Sequence, residues 1–149
     1  MAEAEKKVTM EVSPEALWRV ITDYENYPKF VDGLVSTKVL QRKGNEVIVE
    51  YNVNFFKKVH YVLKHKEKPD STAVTWEMVE GDFFKKNVGS WKLKAKGKDK
   101  VEVTYKIELG LPLLVPQAIV NSLVGTSLPG MLKSFEERAR TKKKVTKKK

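Results

Sequence analysis

Between Val12 and Val31 the chain passes through a strand end, a capped helix start and an aromatic-proline turn without a break, and no other segment restricts the fold as tightly. Ser13 is placed to accept from the open N–H groups of a first helical turn, and Pro14 brings the φ that the first helical position favours. Leu17, Val20, Ile21 and Tyr24 recur at i, i+3, i+4 and i+7, a single apolar stripe that Trp18 widens. Ala16 stands where a reciprocal capping box needs Glu or Gln, so the cap is one-sided. Tyr27-Pro28 then ends regular helix, because the residue before a proline is driven out of the α region. The sequence therefore predicts a short helix followed at once by a tight turn.

The chain has 149 residues and no cysteine, enough for one domain with its own core and no thiol chemistry. Residues 141–149 are set apart as a lysine-rich disordered tail, and 1–140 as the domain. The net charge is +10, but residues 138–149 alone carry +8, which leaves only +2 for everything before them. The basicity belongs to the end of the chain, and its natural partners are an anionic membrane surface or RNA. No run approaches the roughly 20 apolar residues of a membrane span, and Met1 to Lys7 do not read as a secretory leader. The expectation is a cytoplasmic protein, peripheral to a membrane if the tail binds one.

Two long stretches alternate with period two: Val47, Val49, Tyr51, Val53 and Phe55, and Val101, Val103, Tyr105, Ile107 and Leu109. Each interleaves an apolar face with a largely polar one, the pattern of a half-buried strand. Further short runs lie around Val59–His65, Ala73–Val79 and Asn87–Leu93, separated by Gly, Pro and Asp turns. With Val8–Val12 and Val35–Leu40 these predict about seven antiparallel strands. Beyond Pro112 the apolar spacing turns helical, through Val115, Ile119, Leu123, Leu128, Met131, Leu132, Phe135 and Ala139. One long helix, or two collinear ones broken near Pro129-Gly130, follows. Strands and then a helix make an α+β fold with the helix laid on the apolar face of the sheet.

Val12 to Trp18, Asp23 to Phe30, Trp76 to Phe83 and Asn87 to Leu93 together resemble the polyketide cyclase/dehydrase and coenzyme Q-binding START-domain branch of the START-like (SRPBCC, Bet v 1-like) superfamily. The resemblance runs from about Lys7 to about Arg140. It implies a helix-grip: a curved antiparallel sheet around a long C-terminal helix, two short helices after the first strand, and a ligand cavity between sheet and helix.

Given such a cavity, the alternation nominates Tyr51, Val53, Trp76, Met78, Trp91, Tyr105 and Ile107 from strands, and Ile119, Leu123 and Met131 from the helix, as its wall. Each of these residues is equally well read as ordinary core. The helix-grip also makes Tyr24, Tyr27 and Phe30 candidates for a lid. Polar groups are scarce. His65 shares the parity of Tyr61 and Leu63, whereas His60 falls on the opposite face, so the pair does not converge on a metal. Glu80 has the parity of Trp76 and Met78 and is expected near the cavity mouth, and Asn87 completes the set of polar candidates. No catalytic set, metal site or cofactor motif is recognised. Lys57-Lys58 and Lys85-Lys86 each follow a Phe-Phe pair, and neighbouring tips would make a basic, aromatic rim.

Three functions compete. Noncatalytic binding or transport of an apolar small molecule (a lipid, quinone or isoprenoid) follows from the resemblance and from the missing catalytic set. A polyketide cyclase or dehydratase needs a buried polar cluster, for instance His65 with Glu80, Asn87 or Tyr105. A ribosome- or RNA-associated module is suggested by a ribosome-associating toxin of the same branch, with the lysine tail supplying the affinity. The oligomeric state is not readable from the sequence.

Overall fold

The computed structural model describes residues 2–54, 57–112, 115–118 and 128–148, without the side chains of residues 2 and 141–148. β1 (Ala2–Met10) leads into α1 (Pro14–Ile21) and a 3-10 turn (Tyr24–Lys29), and six strands follow: β2 (Leu34–Lys43), β3 (Glu46–Asn54), β4 (Lys58–Glu67), β5 (Ala73–Gly81), β6 (Lys86–Gly97) and β7 (Lys100–Gly110). The C-terminal helix α2 is described over Leu128–Lys148, with Pro129 and Gly130 inside it. Its helical backbone takes in residues 141–148.

All seven strands form one antiparallel sheet in the order β1-β7-β6-β5-β4-β3-β2. From β2 to β7 each strand pairs with its successor through a short turn, and β1 returns to the far edge beside β7, from Ala2 opposite Leu109 to Met10 opposite Val101. The α1 segment therefore carries the chain from one edge of the sheet to the other. It starts where the sequence indicates: Ser13 Oγ accepts from Ala16 N–H at 3.1 Å, with Pro14 in the first turn. Its buried face is Ala16, Leu17, Val20 and Ile21. Tyr27 Oη donates to the Ile21 carbonyl and so clamps the 3-10 turn to the end of the helix.

Alternation decides which face of each strand is inward. Val47, Val49 and Tyr51 on β3, and Val101, Val103 and Tyr105 on β7, are buried, and their neighbours are half-buried or exposed. α2 lies against that face through Leu132, Phe135 and Ala139 and also meets α1. Phe135 holds the layers together, its ring centroid 4.8 Å from Trp91, 5.2 Å from Tyr27 and 5.0 Å from Phe30. Register shifts interrupt the pairing of β2 with β3 twice, between Leu34 and Ser36 and between Val39 and Gln41, and that of β4 with β5 once, between Val62 and Leu63.

Candidate functional site

The sheet register stacks the large inward side chains in rows. Val47, His65 and Trp76 lie abreast on β3, β4 and β5, and the next position in that row is Gly89 on β6. A Cβ at Gly89 would lie 2.3 Å from Trp76 Cζ2 and 2.4 Å from the Lys106 carbonyl, so only glycine lets the indole lie across β6. There Trp76 Nε1 donates to Asn87 Oδ1 at 3.0 Å, and the ring sits 5.6 Å from Tyr105. Tyr105 in turn meets Trp91 edge-on at 4.8 Å. Two rows along from His65, Tyr51 stacks on Tyr61 at 5.1 Å.

These rings do not close the space between sheet and helix. A cavity of about 160 Å³ remains, lined by the rings of Tyr27, Tyr51, Tyr61, Trp76, Trp91, Tyr105 and Phe135, by the aliphatic side chains of Val31, Leu34, Val53, Leu63, Ile107 and Met131, and by His65, Asn87 and Asp32. Its deep wall, His65 to Trp91, is buried, whereas Val31, Asp32, Leu34, Val53 and Ile107 are partly or fully exposed, which puts the mouth at the end of the sheet remote from α1. The volume matches one aromatic ring and falls well short of the roughly 300–1,000 Å³ of a pocket that encloses a drug-sized ligand.

The deep wall holds two neutral polar pairs, Trp76 with Asn87 and Tyr51 with His65. Tyr51 Oη and His65 Nε2 are 2.7 Å apart. Burial holds the His65 imidazole uncharged by pushing its pKa down to about 3, and burial keeps the phenols of Tyr27, Tyr51, Tyr61 and Tyr105 protonated well beyond the ordinary tyrosine range. His65 Nδ1 has no hydrogen-bond partner although it is buried. A neutral imidazole bonded through one nitrogen must leave the other either a bare donor or a bare acceptor, at a cost of about 1–3 kcal/mol. Among the described residues no three His, Asp or Glu side chains are grouped to hold a metal ion.

Of the wall residues that the sequence nominates, Tyr51, Val53, Trp76, Trp91, Tyr105, Ile107 and Met131 border the cavity. Ile119 and Leu123 lie outside the described residues. Met78 packs against the core without bordering the cavity. Among the lid candidates only Tyr27 borders it. Tyr24 is buried behind the wall, its ring 4.5 Å from His65 and its hydroxyl donating to Glu67 Oε2 at 2.8 Å. Phe30 lies on the outer side, between Phe135 and the Arg138 guanidinium.

His65 and Asn87 stand in the wall, but Glu80 is exposed and does not reach it. The cause is the bulge in β5: Met78 faces Leu63, yet Glu80 faces Val62, so parity with Trp76 is lost after Met78. Val31, Asp32, Leu34, Tyr61, Leu63 and Phe135 were not nominated. Tyr61 and Leu63 were within reach, since they share His65's parity, and Phe135 lies one helical turn after Met131.

A family model described as polyketide cyclase / dehydrase and lipid transport matches residues 10–136. A START superfamily protein from Mycobacterium smegmatis superposes with a TM-score of 0.82 over 95% of this chain and 99% of its own, at 18% identity. A STAR-related lipid transfer protein fragment from Xanthomonas axonopodis gives 0.75 over 91% and 84%, at 17% identity. In sequence, the persistence and stress-resistance toxin PasT of Escherichia coli is 16% identical over 140 residues, 94% of this chain and 88% of that protein. At such identities a superposition speaks for the fold, the START-like helix-grip. The family match spans most of the chain, from the end of β1 into α2, and the chain is therefore a member of the polyketide cyclase / dehydrase and lipid transport family.

Proposed function

We propose that the protein binds an apolar small molecule without transforming it, taking one ring or the end of a chain into the cavity and leaving the remainder at the mouth. The observation that carries this reading is the wall itself: rings and aliphatic groups around a ring-sized void, with the neutral pairs Tyr51–His65 and Trp76–Asn87 in the deep wall and the Asp32 carboxylate only at the mouth. Burying a charged ligand group there would require a cation or anion that the deep wall does not offer. Lipids, quinones and isoprenoids all present an uncharged end of suitable width. A cyclase or dehydratase reading needs a group that exchanges protons near neutrality, and His65, held neutral down to about pH 3, is a weak base for that purpose.

The test is native mass spectrometry of the purified protein, with organic extraction of whatever travels with it, alongside quenching of Trp76 and Trp91 fluorescence by added quinones and isoprenoids. A bound apolar species and saturable quenching, both abolished by filling the void with Ile107→Trp, are expected. Quenching that survives in Ile107→Trp would place the ligand elsewhere and end this reading.

A further inference from the structure

The tetrapeptide Phe-Phe-Lys-Lys occurs twice, at residues 55–58 and 83–86. The topology brings the described residues of both copies to the same end of the sheet, Lys57 and Lys58 at the entry to β4 and Phe83 to Lys86 at the entry to β6. Phe55 and Phe56 lie outside the described residues. The described parts of the two turns touch: Lys57 Nζ stands 5.4 Å from the centroid of the Phe83 ring, and the Phe84 ring meets Tyr61 of β4 at 5.5 Å. Phe83 and Phe84 are half-buried, and Lys57, Lys58 and Lys85 are exposed.

This end is also the mouth of the cavity. Asn54 N–H donates to the Gly33 carbonyl, joining the first turn to the loop that bears Val31 and Asp32, and Lys85 N–H donates to the Gly110 carbonyl, joining the second turn to the end of β7. Acidic groups are present nearby but are partly engaged. Glu108 pairs with Lys86 at 2.9 Å, and Asp82 Oδ1 accepts from His60 N–H at 3.0 Å. Asp32 stands at the cavity mouth itself.

We propose that these two turns form a docking rim for an anionic phospholipid bilayer. Lys57, Lys58 and Lys85 attract the headgroups while Phe83 and Phe84 enter the interface, so the cavity mouth faces the membrane. Aromatic rings with short-range lysines suit that boundary, where one end of a contact is apolar and the other wet. RNA fits less well: three lysines on two turn tips make a spot, not a groove that follows a phosphate backbone. The rim stands or falls independently of what the cavity holds.

Full-length protein is titrated with vesicles of phosphatidylcholine alone and of phosphatidylcholine with phosphatidylserine, and with RNA in a separate arm. Binding to the serine-containing vesicles is expected. Each lysine near the surface contributes about fivefold, so Lys57→Gln, Lys58→Gln and Lys85→Gln together should weaken binding on the order of 100-fold. The lysine run of 142–149 is present in both proteins and cancels in the comparison. A second readout places the contact without altering the lysine set as a whole: the chain has no cysteine, so Lys85→Cys or Lys98→Cys each gives a single dye site. Lys98 is in the turn after β6, at the opposite end of the sheet. A blue shift on vesicle binding is expected at position 85 and not at 98. Wild-type affinity in the triple variant, a shift at 98 without one at 85, or binding to RNA but not to vesicles would each overturn the proposal.

Discussion

The two ends of one sheet are filled differently. Toward α1 the inward positions are Leu93, Val101 and Val103, joined by Leu17 and Ile21 of the helix. Away from α1 they are Tyr51, Tyr61, Trp76, Trp91 and Tyr105. The strands are the same, and so is the alternation. Branched aliphatic side chains interdigitate to native density, leaving Leu17, Ile21 and Val103 with no exposed surface. Rigid planes meeting at an angle, Trp91 and Tyr105 edge-on at 4.8 Å and His65 and Trp76 tilted at 5.9 Å, leave gaps that no neighbouring methyl fills, and the cavity is such a gap. In this fold the cavity arises from the shape of the side chains at the inward positions.

A matched pair of truncations breaks or upholds that contrast most directly. Val103→Ala removes methyl groups from a filled region and should cost about 2.5 kcal/mol, from lost transfer energy plus the void left behind. Val53→Ala makes the same change beside an existing void and should cost less than about 1 kcal/mol. Equal losses in denaturant titrations would mean that the two ends are packed alike.

The next largest effect is acid sensitivity from the ring-lined end. His65 in the folded protein refuses a proton until about pH 3, whereas in the unfolded chain it accepts one near 6.5. Between those values the unfolded state binds more protons, so stability falls as pH is lowered, by about 1.4 kcal/mol per unit well below 6.5. About 2 kcal/mol should be lost by pH 5. The double variant His65→Leu/Tyr51→Phe removes both polar partners and should flatten that part of the pH profile, and an unchanged slope would assign the sensitivity elsewhere.

Tyr51→Phe alone should be worse than the double change. It leaves both nitrogens of His65 without partners, a loss of about 1.5 kcal/mol in the same titration, and it should widen the cavity by one oxygen without emptying the aromatic wall. Last comes Ser13→Ala, which strips the cap from α1 and should cost about 1 kcal/mol. Because α1 seals only the filled end, quenching of Trp76 and Trp91 by a bound ligand should be untouched. Altered ligand affinity in Ser13→Ala would show that the two ends are coupled.

Much of this arrangement is visible in the sequence, for reasons that differ from residue to residue. Ser13-Pro14 marks α1 because capping is a local event. Val47 to Val53 and Val101 to Ile107 reveal their inward face because strand periodicity survives wherever pairing is regular. His65 is identified as inward by parity alone. Glu80 misleads for the same reason that His65 succeeds: parity counts residues, and a bulge two positions earlier shifts the count without any mark in the local sequence. Tyr24 and Phe30 belong to a turn with no strand-like period, so their directions depend on Glu67 and Phe135, partners 43 and 105 positions away in the chain. Asp32 and Leu34 border the cavity only because the loop before β2 folds against Asn54, a contact set by tertiary structure.

An open sheet also has two borders, and β2 forms one of them, with the 3-10 turn against it and Glu25 accepting from Val39 N–H. Its register is broken twice, and it carries Lys38, Arg42 and Lys43 along with the exposed Val35 and Leu40. A strand with irregular spacing and repeated positive charge offers a second chain no continuous ladder of backbone donors and acceptors to extend. The same irregularities that loosen the pairing of β2 with β3 therefore guard the domain against growing into larger sheets, which allows its sheet to remain open-edged around a cavity instead of closing into a barrel.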